Sequence, residues 1–116
     1  MYAPALQFGA WQPIETAAVA APDAPGVLQA RTEALLAYPR GKSAMVLYAH
    51  SGAGHSLRGL VEGGECLARA VSSGACYVRF AEAPEPQAFY QRLLATFTER
   101  FGAPPRANES QMGTIE

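Results

Sequence analysis

The feature that most constrains this chain is the run Ser43-Ala-Met-Val-Leu-Tyr-Ala-His50, apolar almost throughout. Its length suits a strand, and its lack of polar alternation demands cover on both faces. It predicts a central strand in a sheet with helices on either side. The residues after it fit that picture. Ser51-Gly-Ala-Gly54 is a flexible turn, Ser56 can cap a helix, and Leu57, Leu60 and Val61 give that helix an apolar stripe. Gly63-Gly64 interrupts it, and a second helical stretch carries Leu67, Ala70 and Val71 before Ser72-Ser73-Gly74 closes it.

Two more strands are predicted. Gly26–Arg31 is short and follows a turn at Asp23, Pro25 and Gly26. Ala75–Phe80 alternates, with Cys76, Val78 and Phe80 on one face and Tyr77 and Arg79 on the other. Thr32 to Gly41 reads as a connection with a helical turn over Glu33–Leu36. The clearest helix runs from Pro86 to Phe101, where Tyr90, Leu93, Leu94, Phe97 and Phe101 recur at helical spacing and Gly102 caps the end. The order strand, strand, broken helix, strand, helix predicts an α/β (α+β) domain with a small three-stranded, mainly antiparallel sheet flanked by helices. Residues 1–24 form an arm that Trp11, Pro13 and Ile14 could anchor, 25–108 the domain, and 109–116 a loose tail.

With 116 residues, 49% hydrophobic and 16% charged, the chain is one globular domain and not a charge-swollen disordered one. So low a charge implies surface covered by a protein partner or a second copy. The net charge of −1 and the scatter of the basic residues give little long-range pull on phosphate, so nucleic-acid binding would be weak and rest on a local patch. One lysine against eight arginines, with abundant Ala, Gly and Pro, reads as a GC-rich bacterial genome rather than a function. Cys66 and Cys76 are expected as buried free thiols. No signal peptide and no membrane-spanning stretch is evident, which makes the cytoplasm the default location.

The residues at the joints resemble the GIY-YIG nuclease family. Gly26-Val27-Leu28, preceded by Pro25, stands where that family has its first motif, and Tyr48-Ala49-His50 at the second. Arg58, ten positions after Tyr48 in Ser56-Leu57-Arg58-Gly59-Leu60, matches the family's arginine. Gly41-Lys42 before the second strand and Pro105-Arg106-Ala107-Asn108 at the end also look like the family. The resemblance implies Tyr48 and Arg58 as catalytic positions; Lys42 and Asn108 beside the matched motifs, and His50 and His55 flanking the turn, are binding candidates.

Departures from the family weigh more than the matches. Leu28 replaces the first tyrosine and His50 the glycine of the second motif. The last helix has no glutamate in register: Tyr90, Gln91 or Arg92 falls there, while Glu85 and Glu99 lie at its ends. Without that carboxylate a hard cation loses its anchor, and phosphodiester cleavage loses the metal that polarises the phosphate. The expectation is a degenerate, non-cleaving domain that acts as a binding or interaction module, needing no cofactor. Two alternatives stand beside it. One is an active metal-dependent endonuclease in which Glu62 or Glu65 holds Mg²⁺; the other is a structural or subunit-interface protein of unrelated α/β fold.

Each candidate also has an ordinary explanation. Tyr48 can be a core tyrosine with its hydroxyl at the edge, and Arg58 a surface partner of Glu62. The turn before Ser56 has backbone amides that could hold an anion, though a tight strand-to-helix corner is the better explanation of its glycines. His50 and His55 flank that turn, but no third zinc ligand is near in sequence.

Overall fold

The computed structural model describes residues 6–108, so the expected loose tail, 109–116, lies outside the described residues. The arm has structure of its own. Gln12–Pro13 is a two-residue strand (β1), Ile14–Thr16 a 3₁₀ turn and Ala17–Ala20 a single helical turn (α1). Then come β2 (Gly26–Tyr38), β3 (Gly41–His50), α2 (Leu57–Gly63), α3 (Glu65–Ser72), β4 (Tyr77–Glu82) and α4 (Pro86–Phe101). The class is α+β as expected, with one open antiparallel sheet ordered β1-β4-β2-β3; the arm contributes a fourth strand beyond the three expected.

The apolar run predicted to be central is at the edge. β3 pairs only with β2, and β2 sits between β3 and β4. Hydropathy reports cover on the faces of a strand and says nothing about pairing at its sides. β3 is buried because α4 packs on one face and α3 approaches the other.

β2 also runs on where a helical turn was expected. A four-residue helical turn is not stable alone, and pairing overrides it: Leu36 lies opposite Ser43, Ala37 opposite Lys42, and Tyr38 opposite Gly41. Register shifts between Ala30 and Arg31, and between Arg31 and Leu36, absorb the extra length. The buried Thr32 hydroxyl supports the irregularity by hydrogen bonding to the Ala34 carbonyl and, at 3.2 Å, to that of Ala44.

The sheet has two distinct faces. Leu28 and Ala30 of β2, Leu47 of β3 and Val78 and Phe80 of β4 pack with Ala17 and Ala21 of the arm and with Leu57, Val61, Cys66 and Ala70 of α2 and α3. On the other face Tyr38 and Tyr48 pack with Phe97 and the apolar stripe of α4. Two glycines are required where layers meet. A Cβ at Gly26 would stand 2.1 Å from the Ala81 carbonyl oxygen and 2.7 Å from Leu57 Cδ1. Gly102 ends α4 at φ 85°, with Pro39 Cβ 2.9 Å from where its own would be. Ser56 caps α2, accepting from the Gly59 amide at 2.9 Å, and Gly64 at φ 82° separates α2 from α3.

Candidate functional site

The sheet pairing lines up the motif segments. Val27 lies opposite His50, Leu28 opposite Ala49, and Gln29 opposite Tyr48. Leu28 therefore turns into the α2–α3 core, while Tyr48 faces α4. The Tyr48 ring meets Phe97 edge-on at 5.9 Å. Asn108, 1% exposed, clasps the outer side of this edge strand. The Tyr48 amide donates to Asn108 Oδ1 and Asn108 Nδ2 donates to the Tyr48 carbonyl, both at 2.8 Å. Nδ2 also reaches the Tyr90 hydroxyl at 3.4 Å. His50 packs its ring 4.6 Å from Tyr90, with Nδ1 buried and without a partner among the described residues. Tyr48, His50, Tyr90, Cys66 and Arg69 line a small cavity of about 130 Å³ at this edge.

Burial favours the neutral forms of Tyr48, His50 and Cys66. Burial pushes the Tyr48 phenol up to about 12, with the Arg79 charge pulling the other way. Burial holds His50 below its usual range and Cys66 above its own. A phenol so poised donates a hydrogen bond at neutral pH but is a poor base, and a buried thiol of raised pKa is a weak nucleophile.

Of the expected site residues, the structure thus brings Tyr48, His50 and Asn108 together. Arg58 is elsewhere. It sits on α2, which packs on the opposite face of the sheet, and its guanidinium pairs with Asp23 at 3.9 Å rather than with Glu62. At that distance and exposure the pair is worth little. Lys42 is exposed beside the β2–β3 turn, ~20 Å along the strand from Tyr48. His55 is exposed on the turn before α2. Several amides at that turn are already engaged: Leu57 donates to Ala24 at 2.8 Å, Arg58 to Pro22 at 3.0 Å and His55 to Gly52 at 3.3 Å. Glu62 and Glu65 are exposed on α2 and α3, away from the Tyr48 face. Cys66 is buried as expected, but Cys76 is half-exposed. Among the described residues no three His, Cys, Asp or Glu side chains converge as metal ligands.

Sequence reasoning missed the other half of the Tyr48 face. Tyr48, Gln29 and Arg79 form one row across β3, β2 and β4, and Arg79 Nε donates to Gln29 Oε1 at 2.7 Å. Next to it the arm is held by alternating rings and guanidiniums. Phe8 lies 4.6 Å from Arg79, Arg79 4.4 Å from Trp11, Trp11 4.8 Å from Arg31, and Arg31 5.0 Å from Tyr77. The alternation of Ala75–Phe80 placed Tyr77 and Arg79 together on the outer face; the partner it lacked was Trp11, about 65 positions away in sequence.

Comparison with protein-family models, with curated proteins and with solved structures finds no match to this chain. No helix among the described residues is long and apolar enough to cross a membrane.

Proposed function

We propose that this domain is a GIY-YIG-like module that binds without cutting, with nucleic acid as its weakly held partner. The observation that carries the reading is the meeting of three motif-like segments at one place: Gly26–Leu28 pairs with Tyr48–His50, and Asn108 clasps the Tyr48 backbone. The order strand, strand, helix, helix, strand, helix supports it too. The non-cleaving part rests on what α4 turns toward Tyr48. In place of a carboxylate it presents Phe97, with Tyr90 at the edge. Arg58, the other matched position, is engaged with Asp23 and lies off this face.

The test is incubation of the full chain with supercoiled, single-stranded and branched DNA in Mg²⁺ or Mn²⁺, with fluorescence anisotropy on the same substrates. The expected outcome is no nicking, and binding that falls steeply with added salt. Metal-dependent nicking that disappears in Arg58→Ala overturns the non-cleaving reading. Retention of none of these substrates at low salt removes nucleic acid as the partner and favours the subunit-interface alternative.

A further inference from the structure

On the Tyr48 face, the described part of the arm and α4 flank a common groove. It measures about 550 Å³ and lies between Leu6 and Phe8 of the arm, Tyr48 on its floor, and Phe89, Leu93 and Phe97 of α4. Sites for small organic ligands run from about 300 to 1,000 Å³, mostly apolar with a few placed polar groups. Here the polar groups are sorted by sign. Arg92, Thr96 and Arg100 follow one another at helical spacing along the rim, and among the described residues no carboxylate lines the groove. The two arginines are already oriented: Arg92 lies over Phe89 at 5.2 Å and Arg100 over Phe101 at 5.3 Å. Stacking one face of a guanidinium leaves its N–H edge free for an oxyanion. Eight residues of helix set them ~12 Å apart, one toward each end of the groove. Among the described residues the charge at the rim is therefore positive, so a positively charged ligand would meet two like charges and a neutral one would leave the rim unused.

We propose that this groove is a binding site for an elongated amphipathic anion: an alkyl or aryl chain laid along Leu93 and Phe97, with a terminal carboxylate or phosphate at the arginine rim. The Tyr48 phenol and Thr96 hydroxyl supply donors to any polar atom along the chain. The case for this site does not rest on the nucleic-acid reading, which is drawn from the paired motif segments, although Tyr48 and Phe97 border both.

The experiment uses 8-anilinonaphthalene-1-sulfonate as probe on the full chain, displaced by decanoate or decyl phosphate, each below its micelle concentration. Decylamine and decanol are the controls. Trp11, the single tryptophan, gives a second readout, because Phe8 both lines the groove and stacks in the ladder that holds Trp11. Both anions should displace the probe and shift Trp11 emission; decylamine should do neither, and decanol should bind at least ten-fold more weakly. The double variant Arg92→Ala/Arg100→Ala should lose at least ten-fold in decanoate affinity and keep its decanol affinity. Leu93→Trp, which fills the groove, should lose both; its unfolding curve separates filling from misfolding. Equal displacement by decylamine, or decanoate binding unchanged in the double arginine variant, overturns the proposal. So does displacement by a short oligothymidylate but not by decanoate, which would assign the groove to nucleic acid. A cleavage assay run beside it bears only on the nuclease-like reading, so the two can fail separately.

Discussion

Removing the Asn108 side chain should be among the most damaging single changes on the Tyr48 side of the fold. Among the described residues β3 is an edge strand, and the Tyr48 amide and carbonyl face outward with no strand to pair them. Asn108 takes that place with two 2.8 Å hydrogen bonds, in a position only 1% exposed. Asn108→Ala orphans one buried donor and one buried acceptor at about 1–3 kcal/mol each, so about 2–6 kcal/mol in all. The third contact, to Tyr90 at 3.4 Å, is long enough to neglect. A domain of this size is stable by about 5–15 kcal/mol, and each kcal/mol moves Tm by about 4–8 °C. The expected fall is therefore on the order of 10 °C or more, read by thermal and urea unfolding. Asn108→Asp sharpens the test. Protonated, the new side chain can accept from the amide and donate to the carbonyl; ionised, it sets a buried charge against the carbonyl oxygen. Its folded pKa must lie above the unfolded value of about 3.9. Its stability is then greatest below that pH and lost as pH rises through the folded pKa. An Asn108→Ala variant within about 0.5 kcal/mol of the parent, below the smallest penalty expected for even one orphaned group, would refute this account of the edge. So would Asn108→Asp equally stable at both ends of that range, relative to the parent.

Trp11→Ala removes the ring shared by Arg31 and Arg79; two cation–π contacts and the lost apolar cover predict a loss of about 2–3 kcal/mol in urea unfolding, partly restored by Trp11→Phe. Gly26→Ala must move both the Ala81 backbone and the Leu57 side chain and should abolish folding or cost over about 3 kcal/mol, checked by circular dichroism and unfolding. Tyr48 should resist ionisation until about pH 12 in an ultraviolet difference titration. Because its folded pKa is raised, its contribution to stability is full below the unfolded value of 10.0 and is lost between there and about 12. His50 has the opposite sign: burial lowers it, so its contribution is present above pH 6.5 and is lost as pH falls toward the folded pKa, followed by NMR of the imidazole protons.

The local signals in this sequence were readable and the long-range ones were not. Ser56 as cap, the Gly63-Gly64 break, Gly102 as the end of α4 and the alternation of Tyr77 with Val78 all depend on a few neighbouring residues, and each sits where its pattern placed it. The misplacements came from distant partners. β3 looked central because its faces are covered, by helices far along the chain. Glu33–Leu36 looked helical because nothing nearby reveals the pairing with Ser43 and Lys42. At the site the ten-residue spacing from Tyr48 to Arg58 was real, but spacing across a turn does not fix which face of a sheet the helix covers. Gly26 fits so tightly under Leu57 that α2 is held on the Leu28 face, and Arg58 goes with it. The stripe Arg92, Thr96, Arg100 could have been found by asking what lies beside the apolar positions of α4.

The same side chains bear on both functional readings, and the link is physical. A helix that brings a metal-binding carboxylate to Tyr48 must keep that corner polar and hydrated, since an isolated buried carboxylate is too costly to hold ionised. This α4 instead closes the corner with Phe97, whose ring meets Tyr48 at 5.9 Å and Tyr38 at 5.1 Å. That closure raises the Tyr48 phenol and removes it as a base. It also turns the wall of the neighbouring groove apolar, so that Arg92 and Arg100 at the rim are left to select what enters. A substitution that reverses the first property should reverse the second. Phe97→Glu should lower the affinity of the groove for decanoate, by setting a like charge against its chain, whether or not it restores a grip on Mg²⁺. Unchanged decanoate binding in a folded Phe97→Glu variant would break the link between the two surfaces.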